Sequence, residues 1–173
     1  MKKKISLIVA LLFSLSLLFG CGGATPSAQP GGDDHGHDHG DLPYEWSGEL
    51  VLAEGTYTLE FAFSGDPSMD IAFAMMDGVI EDLEHHGHHI MESDKDEISQ
   101  GSTFTAWPDY GYTLILNEGP TEFNFVIEED GRYMIFMEHM PEEFDLVIFD
   151  EAGEELIPEN QREFDEDGNY KEI

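Results

Sequence analysis

Two short tracts hold seven of the chain's eight histidines: Asp33-Asp34-His35-Gly36-His37-Asp38-His39-Gly40-Asp41 and His85-His86-Gly87-His88-His89. Neutral imidazole is a good ligand for zinc and also suits copper and nickel, and crowding favours the neutral form because neighbouring imidazolium charges repel. The chemistry within reach of these residues is therefore capture of a divalent transition metal. In the first tract His35, His37 and His39 alternate with glycine and with Asp38, which makes a loose chelator able to catch an ion without fixing its geometry. The second tract is denser and is expected to carry the main site. His139 follows Glu138 and precedes Met140-Pro141-Glu142. Placed at a strand end, it can join His85 and His89, with Glu138 or Glu142, in a three-histidine or histidine and carboxylate set.

Such a site needs an element to position it. Residues Asp77 to Met91 break the alternation found elsewhere; wound at 100° per residue, they put Val79, Leu83 and Ile90 on one stripe with Ile80 nearby. Glu81, His85, His88 and His89 then face the other way, with His86 nearer the apolar edge. Glu81 to His85 and His85 to His89 are i,i+4 steps and His85 to His88 is i,i+3, so these side chains can approach one ion together. Gly87 interrupts the segment and costs a helix roughly 0.5–1 kcal/mol relative to alanine. The expectation is a short helical or loop insertion whose end orders on metal binding.

The remainder reads as strands. Thr56 to Phe63 alternates with Tyr57, Leu59, Phe61 and Phe63 on one face, and Met69 to Met75 alternates likewise. Gly48 to Ala53, Tyr112 to Asn117, Glu122 to Ile127, Arg132 to His139 and Phe144 to Asp150 are further short runs separated by turn residues such as Glu129-Asp130-Gly131. No βαβ pattern is present. The expected fold is mainly β, an antiparallel sandwich of about seven to nine strands carrying the histidine insertion. Gly55-Thr56-Tyr57, Gly131-Arg132-Tyr133 and Gly111-Tyr112 form a weak echo in which a turn glycine and a tyrosine open a strand.

At the N-terminus a basic start, Lys2-Lys3-Lys4, precedes an apolar run from Ile5 to Phe19 that is too short to span a bilayer as a helix and reads as an export signal. Leu18-Phe19-Gly20-Cys21 resembles the bacterial lipobox, which implies cleavage before Cys21 and attachment of diacylglycerol to its thiol. Cys21 is the only cysteine, so no disulfide forms within the chain. The expected organisation is a signal peptide over 1–20, a lipidated and flexible His/Asp/Gly tether over 21–43, and a β-sandwich domain over 44–173. The protein is then anchored through lipid in the cell envelope, on the outer face of the cytoplasmic membrane or on the outer membrane. Once the signal's three lysines leave, four Lys and Arg remain against 38 Asp and Glu, a balance of −34. Nucleic acid is a poor partner for that charge. A hydrated, salt-adapted surface accounts for it more simply than a metal site does.

Competing readings are weaker. Met75, Met76, Met91, Met134, Met137 and Met140 sit near histidines in sequence and would suit copper(I), but no regular Met-x-x-Met or His-x-Met array exists and strand methionines pack as core. Trp46, Trp107, Tyr110 and Tyr112 could stack sugars in an adhesion or carbohydrate-binding module, a role with no need of two histidine tracts. No nucleophile elbow, phosphate-cradling loop or His-Glu-x-x-His helix is found, so the chain is not read as an enzyme. Asp165-Glu166-Asp167-Gly168-Asn169 places its glycine fourth, where a calcium loop needs it sixth.

In its lipobox and in the tracts at His35 to His39 and His85 to His89, the chain resembles the His-rich surface lipoproteins and solute-binding proteins of bacterial zinc uptake. The resemblance implies zinc handling beside a membrane transporter and does not extend to the two-lobed solute-binding fold.

Overall fold

The computed structural model describes residues 42–76, 78, 82–165 and 170–171. Twelve strands and one α-helix follow in order: β1 (Trp46–Leu52), β2 (Gly55–Phe61), β3 (Ser68–Met75), α1 (Leu83–Glu92), β4 (Asp96–Ile98), β5 (Thr103–Thr105), β6 (Tyr110–Ile115), β7 (Thr121–Ile127), β8 (Gly131–Met137), β9 (Val147–Phe149), β10 (Glu155–Leu156), β11 (Glu159–Phe164) and β12 (Tyr170–Lys171). They form a seven-stranded sheet in the order β12-β11-β1-β8-β3-β6-β4 and a five-stranded sheet in the order β10-β9-β2-β7-β5. The mainly β sandwich expected from the alternation is present.

Two details differ. The count exceeds the expected seven to nine because β4, β5, β10 and β12 are only two or three residues long and β11 is polar along most of its length. Pairing is antiparallel except at two sheet edges, where β4 runs parallel to β6 and β5 parallel to β7. The run expected over Phe144 to Asp150 shortens to β9, because Pro141–Phe144 is a turn of 3₁₀-helix.

Between the sheets lies an aromatic core. Tyr57, Leu59 and Phe61 of β2 and Phe123, Phe125 and Ile127 of β7 face inward, against Ile71 and Phe73 of β3 and Tyr133 and Ile135 of β8. Phe73 and Phe125 meet across the two sheets with ring centroids 5.3 Å apart. On β2 and β7 the alternate residues Thr58, Glu60, Glu122 and Asn124 face outward, as an antiparallel sheet with one wet face requires.

On β3 and β8 the alternate residues are apolar as well, because a second cluster lies beneath α1. Ala72, Ala74, Met134 and Phe136 pack there with Ile90 and Met91 of the helix, with Tyr44, and with Phe164 of β11. The small alanines of β3 make room for the helix. The architecture is therefore three layers deep at this point, helix on sheet on sheet.

Gly87 explains how closely the helix sits. A Cβ built there would lie 2.3 Å from a ring carbon of Phe136, closer than real atoms pack. The residue that appeared to weaken the helix is the one that lets it dock, and burial of Ile90 and Met91 offsets the propensity cost.

Candidate metal centre

Both ends of α1 are tied down by side chains. Asp82 accepts a hydrogen bond from the backbone N–H of His85 at 3.0 Å, and the Ser93 hydroxyl donates to the carbonyl of His89 at 2.7 Å. With the sheet side fixed by Gly87, Ile90 and Met91, the helix turns His85, His86, His88 and His89 toward its open sides. His89 is exposed and the other three are half-buried.

The four histidines do not share one environment. Nε2 of His89 lies 3.0 Å from Nε2 of His85, their rings crossing edge to face at 4.3 Å. For two neutral imidazoles that contact requires one nitrogen to hold the proton and the other to accept it. A metal ion can replace that proton and take both lone pairs. Tetrahedral zinc at 2.0–2.1 Å from each nitrogen would hold them about 3.3 Å apart, so the pair fits such an ion after opening by a few tenths of an ångström.

His88 instead pairs with Glu92 across one helical turn, Nε2 to Oε2 at 2.9 Å, while its ring stands 5.9 Å from that of His89. His86 reaches off the helix to Asp109, Nε2 to Oδ1 at 2.8 Å. Asp109 sits in the turn before β6 with φ +56°. It was missed in the sequence because no periodicity links it to a histidine 23 residues away. Glu92 lies an i,i+4 step from His88, a spacing legible in the sequence.

The described residues do not gather His139 with the helix. Its Nδ1 is 3.9 Å from a carboxylate oxygen of Glu45, and its ring stacks on Phe144 with centroids 5.9 Å apart. Glu138 accepts from the backbone N–H of Asp70 at 3.0 Å, and Glu142 lines a separate groove of about 350 Å³ beside Trp46, Leu146 and Leu156. Among the described residues no group of three or more His, Cys, Asp or Glu side chains is arranged to hold a metal ion. What they do bring together is the His85 and His89 pair. Cys21, His35, His37, Asp38, His39 and Glu81 lie outside the described residues.

The side chains behind the competing readings are largely taken up in packing. Met91, Met134 and Met137 are buried, and Met75, Met76 and Met140 pack against the two clusters. Trp46 and Tyr112 are buried too, leaving Trp107 as the strongly exposed ring of the four. No helix among the described residues is long and apolar enough to cross a membrane. No protein-family model, curated protein or solved structure matches the chain.

Proposed function

We propose that this protein is a lipid-anchored, extracytoplasmic binding protein for divalent transition metal, with zinc the leading ion, which captures or buffers the metal and passes it to a membrane transporter. The observation that carries the reading is the pair of imidazole nitrogens of His85 and His89, 3.0 Å apart on one side of a capped helix. Electrostatics favour a cation there. His89 of the pair lies in the last turn of α1, where the helix dipole is negative, and the mature chain carries 38 acidic residues.

Two imidazoles leave an ion with open coordination positions. A structural zinc site is closed by four protein ligands, whereas an open one exchanges its metal readily. That suits capture and transfer better than a structural role.

Calorimetric titration of the mature chain from Cys21 with zinc, copper(I), nickel and calcium, beside a His85→Ala/His88→Ala/His89→Ala variant, tests the reading. One stoichiometric submicromolar zinc site, lost in the variant, is expected. Weak binding unchanged by the substitutions would refute it and direct attention to sugar or protein partners.

A further inference from the structure

We infer that the groove beside Trp46 is a second binding site, which takes a small amphiphilic cation: an apolar body seated between the sheets and a protonated amine held at the acidic mouth. The groove shares no residue with the histidine helix.

It exists because the sandwich does not close along this side. β10 belongs to the five-stranded sheet and β11 to the seven-stranded one, so Ile157-Pro158 crosses between the sheets and leaves part of the core within reach. Trp46 of β1 and Met137 of β8 line the groove from one sheet and Ile148 of β9 from the other. Gly48 sets the position of the indole, since a Cβ there would lie 2.5 Å from a ring carbon of Trp46 and 2.9 Å from Cβ of Pro158. Leu146 and Leu156, partly buried, extend the apolar lining outward, and Ile157 at the lip is 73% exposed. The volume of about 350 Å³ lies at the small end of the range for small-molecule sites.

Hydrogen-bonding groups in the wall are already used. The indole N–H of Trp46 donates to Oε1 of Gln161 at 3.3 Å, and the amide of Gln161 donates to the carbonyl of Pro158 at 3.0 Å. The backbone N–H of Leu146 donates to the carbonyl of Pro141 at 3.0 Å. What remains to recognise a ligand is apolar surface and the carboxylates of Glu142, Asp145 and Glu155, all exposed at the mouth. Among the described residues no Lys, Arg or His lines the groove, and no ion pair engages these three acids. Asp145 owes its place to a left-handed backbone, φ 44°, at the end of the 3₁₀ turn, a conformation aspartate tolerates better than most residues. An apolar floor rimmed by carboxylates complements an alkyl or aryl amine, whose body leaves water while its charge stays at the boundary. An anion of the same shape meets three like charges.

The test follows Trp46 fluorescence in the chain from Cys21 carrying Trp107→Phe, which leaves Trp46 as the single indole. At 0.15 M salt, charges farther away than about 8 Å are largely screened. The probes are 4-phenylbutylamine, 4-phenylbutan-1-ol and 4-phenylbutanoate, one body with a positive, neutral or negative head, and ethylamine, the same charge with little body. The phenylbutylamine is expected to bind about tenfold tighter than the alcohol or the acid, and ethylamine not to bind over the same range. Two triple variants separate a built rim from the chain's general charge. Glu142→Gln/Asp145→Asn/Glu155→Gln removes the rim and keeps a residue that accepts the left-handed turn at 145; it should weaken the amine about tenfold. Glu54→Gln/Glu128→Gln/Glu129→Gln removes equal charge at the far end of β1 and β8, roughly 20 Å along the strands, and should change binding by less than about twofold. Circular dichroism checks each fold, and should the rim variant not fold, the ranking of head groups decides alone. His85 and His89 stay in place throughout, so the zinc titration tests the metal-binding reading separately. Equal affinity for the three heads, equal weakening by the two triple variants, binding of ethylamine as tight as that of phenylbutylamine, or no binding of the amine at all would each overturn the inference.

Discussion

Tyr57, Tyr133 and Tyr112 return their hydroxyls to the backbone just upstream. Tyr57 donates to the carbonyl of Ala53 at 3.0 Å, Tyr133 to that of Glu129 at 2.8 Å, and Tyr112 to that of Thr105 at 2.6 Å. The echo of glycine and tyrosine in the sequence therefore marks a repeated pin, in which the tyrosine clasps the turn that its own strand leaves, much as a tyrosine corner does. Burial disfavours the phenolate at Tyr112 and Tyr133. It pushes Tyr112 up to about 12 and raises Tyr133, with Glu129 adding to the effect; Tyr44 rises further through burial and the nearby Glu84. A folded-state pKa above the ordinary value of about 10 means that the native chain keeps a proton the unfolded chain gives up. The stability from these groups is complete below pH ~10 and falls as pH climbs from there towards 12. Phenolate absorbance followed beside far-ultraviolet circular dichroism should show Tyr44, Tyr112 and Tyr133 ionising only as structure is lost. Ionisation of these three near the ordinary value of about 10 without unfolding would contradict the burial argument. The sequence showed the glycine and the tyrosine but not the carbonyl, because the partner is chosen by the turn's path and not by residue type.

At the scale of elements, α1 is where sequence reasoning and structure inform one another most. Spacing alone placed His85 and His89 on one side of a helix, and the structure holds their nitrogens 3.0 Å apart. Gly87 was legible only as a defect, since its value depends on Phe136, a residue 49 positions away that no local pattern connects to it. Gly87→Ala is expected to destabilise the fold by about 1–3 kcal/mol in urea unfolding through overpacking, although alanine favours an isolated helix by about 1 kcal/mol. Adding Phe136→Leu should recover part of the loss by removing the ring that the new methyl meets. A Gly87→Ala variant more stable than the parent would show that the helix does not need this close approach. The strands were readable for the same reason in reverse. β2 and β7 bury alternate residues, so period two appears in the sequence; β8 is buried on both faces from Tyr133 to Met137, so it appears as an apolar run instead. β11 was not readable, because Glu159 to Glu163 are not buried and Phe164 alone packs inside.

Over the whole molecule, charge sets the terms. Of the four Lys and Arg that follow residue 4, Lys95 pairs with Asp70 at 3.0 Å, Arg132 with Glu49 at 2.7 Å and Arg162 with Glu84 at 3.3 Å. That leaves most of the 38 carboxylates without a protein cation, and their mutual repulsion opposes compaction. Screening extends to about 30 Å at 0.01 M salt and only about 3 Å at 1 M, so added salt weakens the many long-range repulsions more than it weakens three close pairs. Thermal unfolding in sodium chloride is accordingly expected to shift upward between those concentrations, by on the order of 5 °C for each 1–2 kcal/mol of repulsion relieved. Potassium chloride should act alike, because the effect is one of screening and not of a specific site. Zinc at micromolar concentration should raise the midpoint separately, by binding the folded state, and only in chains that keep His85 and His89. A midpoint that fell with salt would show that the three ion pairs outweigh the field. One that rose with zinc regardless of the helix histidines would assign the ion to the acidic surface, and the two additions in one series therefore distinguish a diffuse field from a built site.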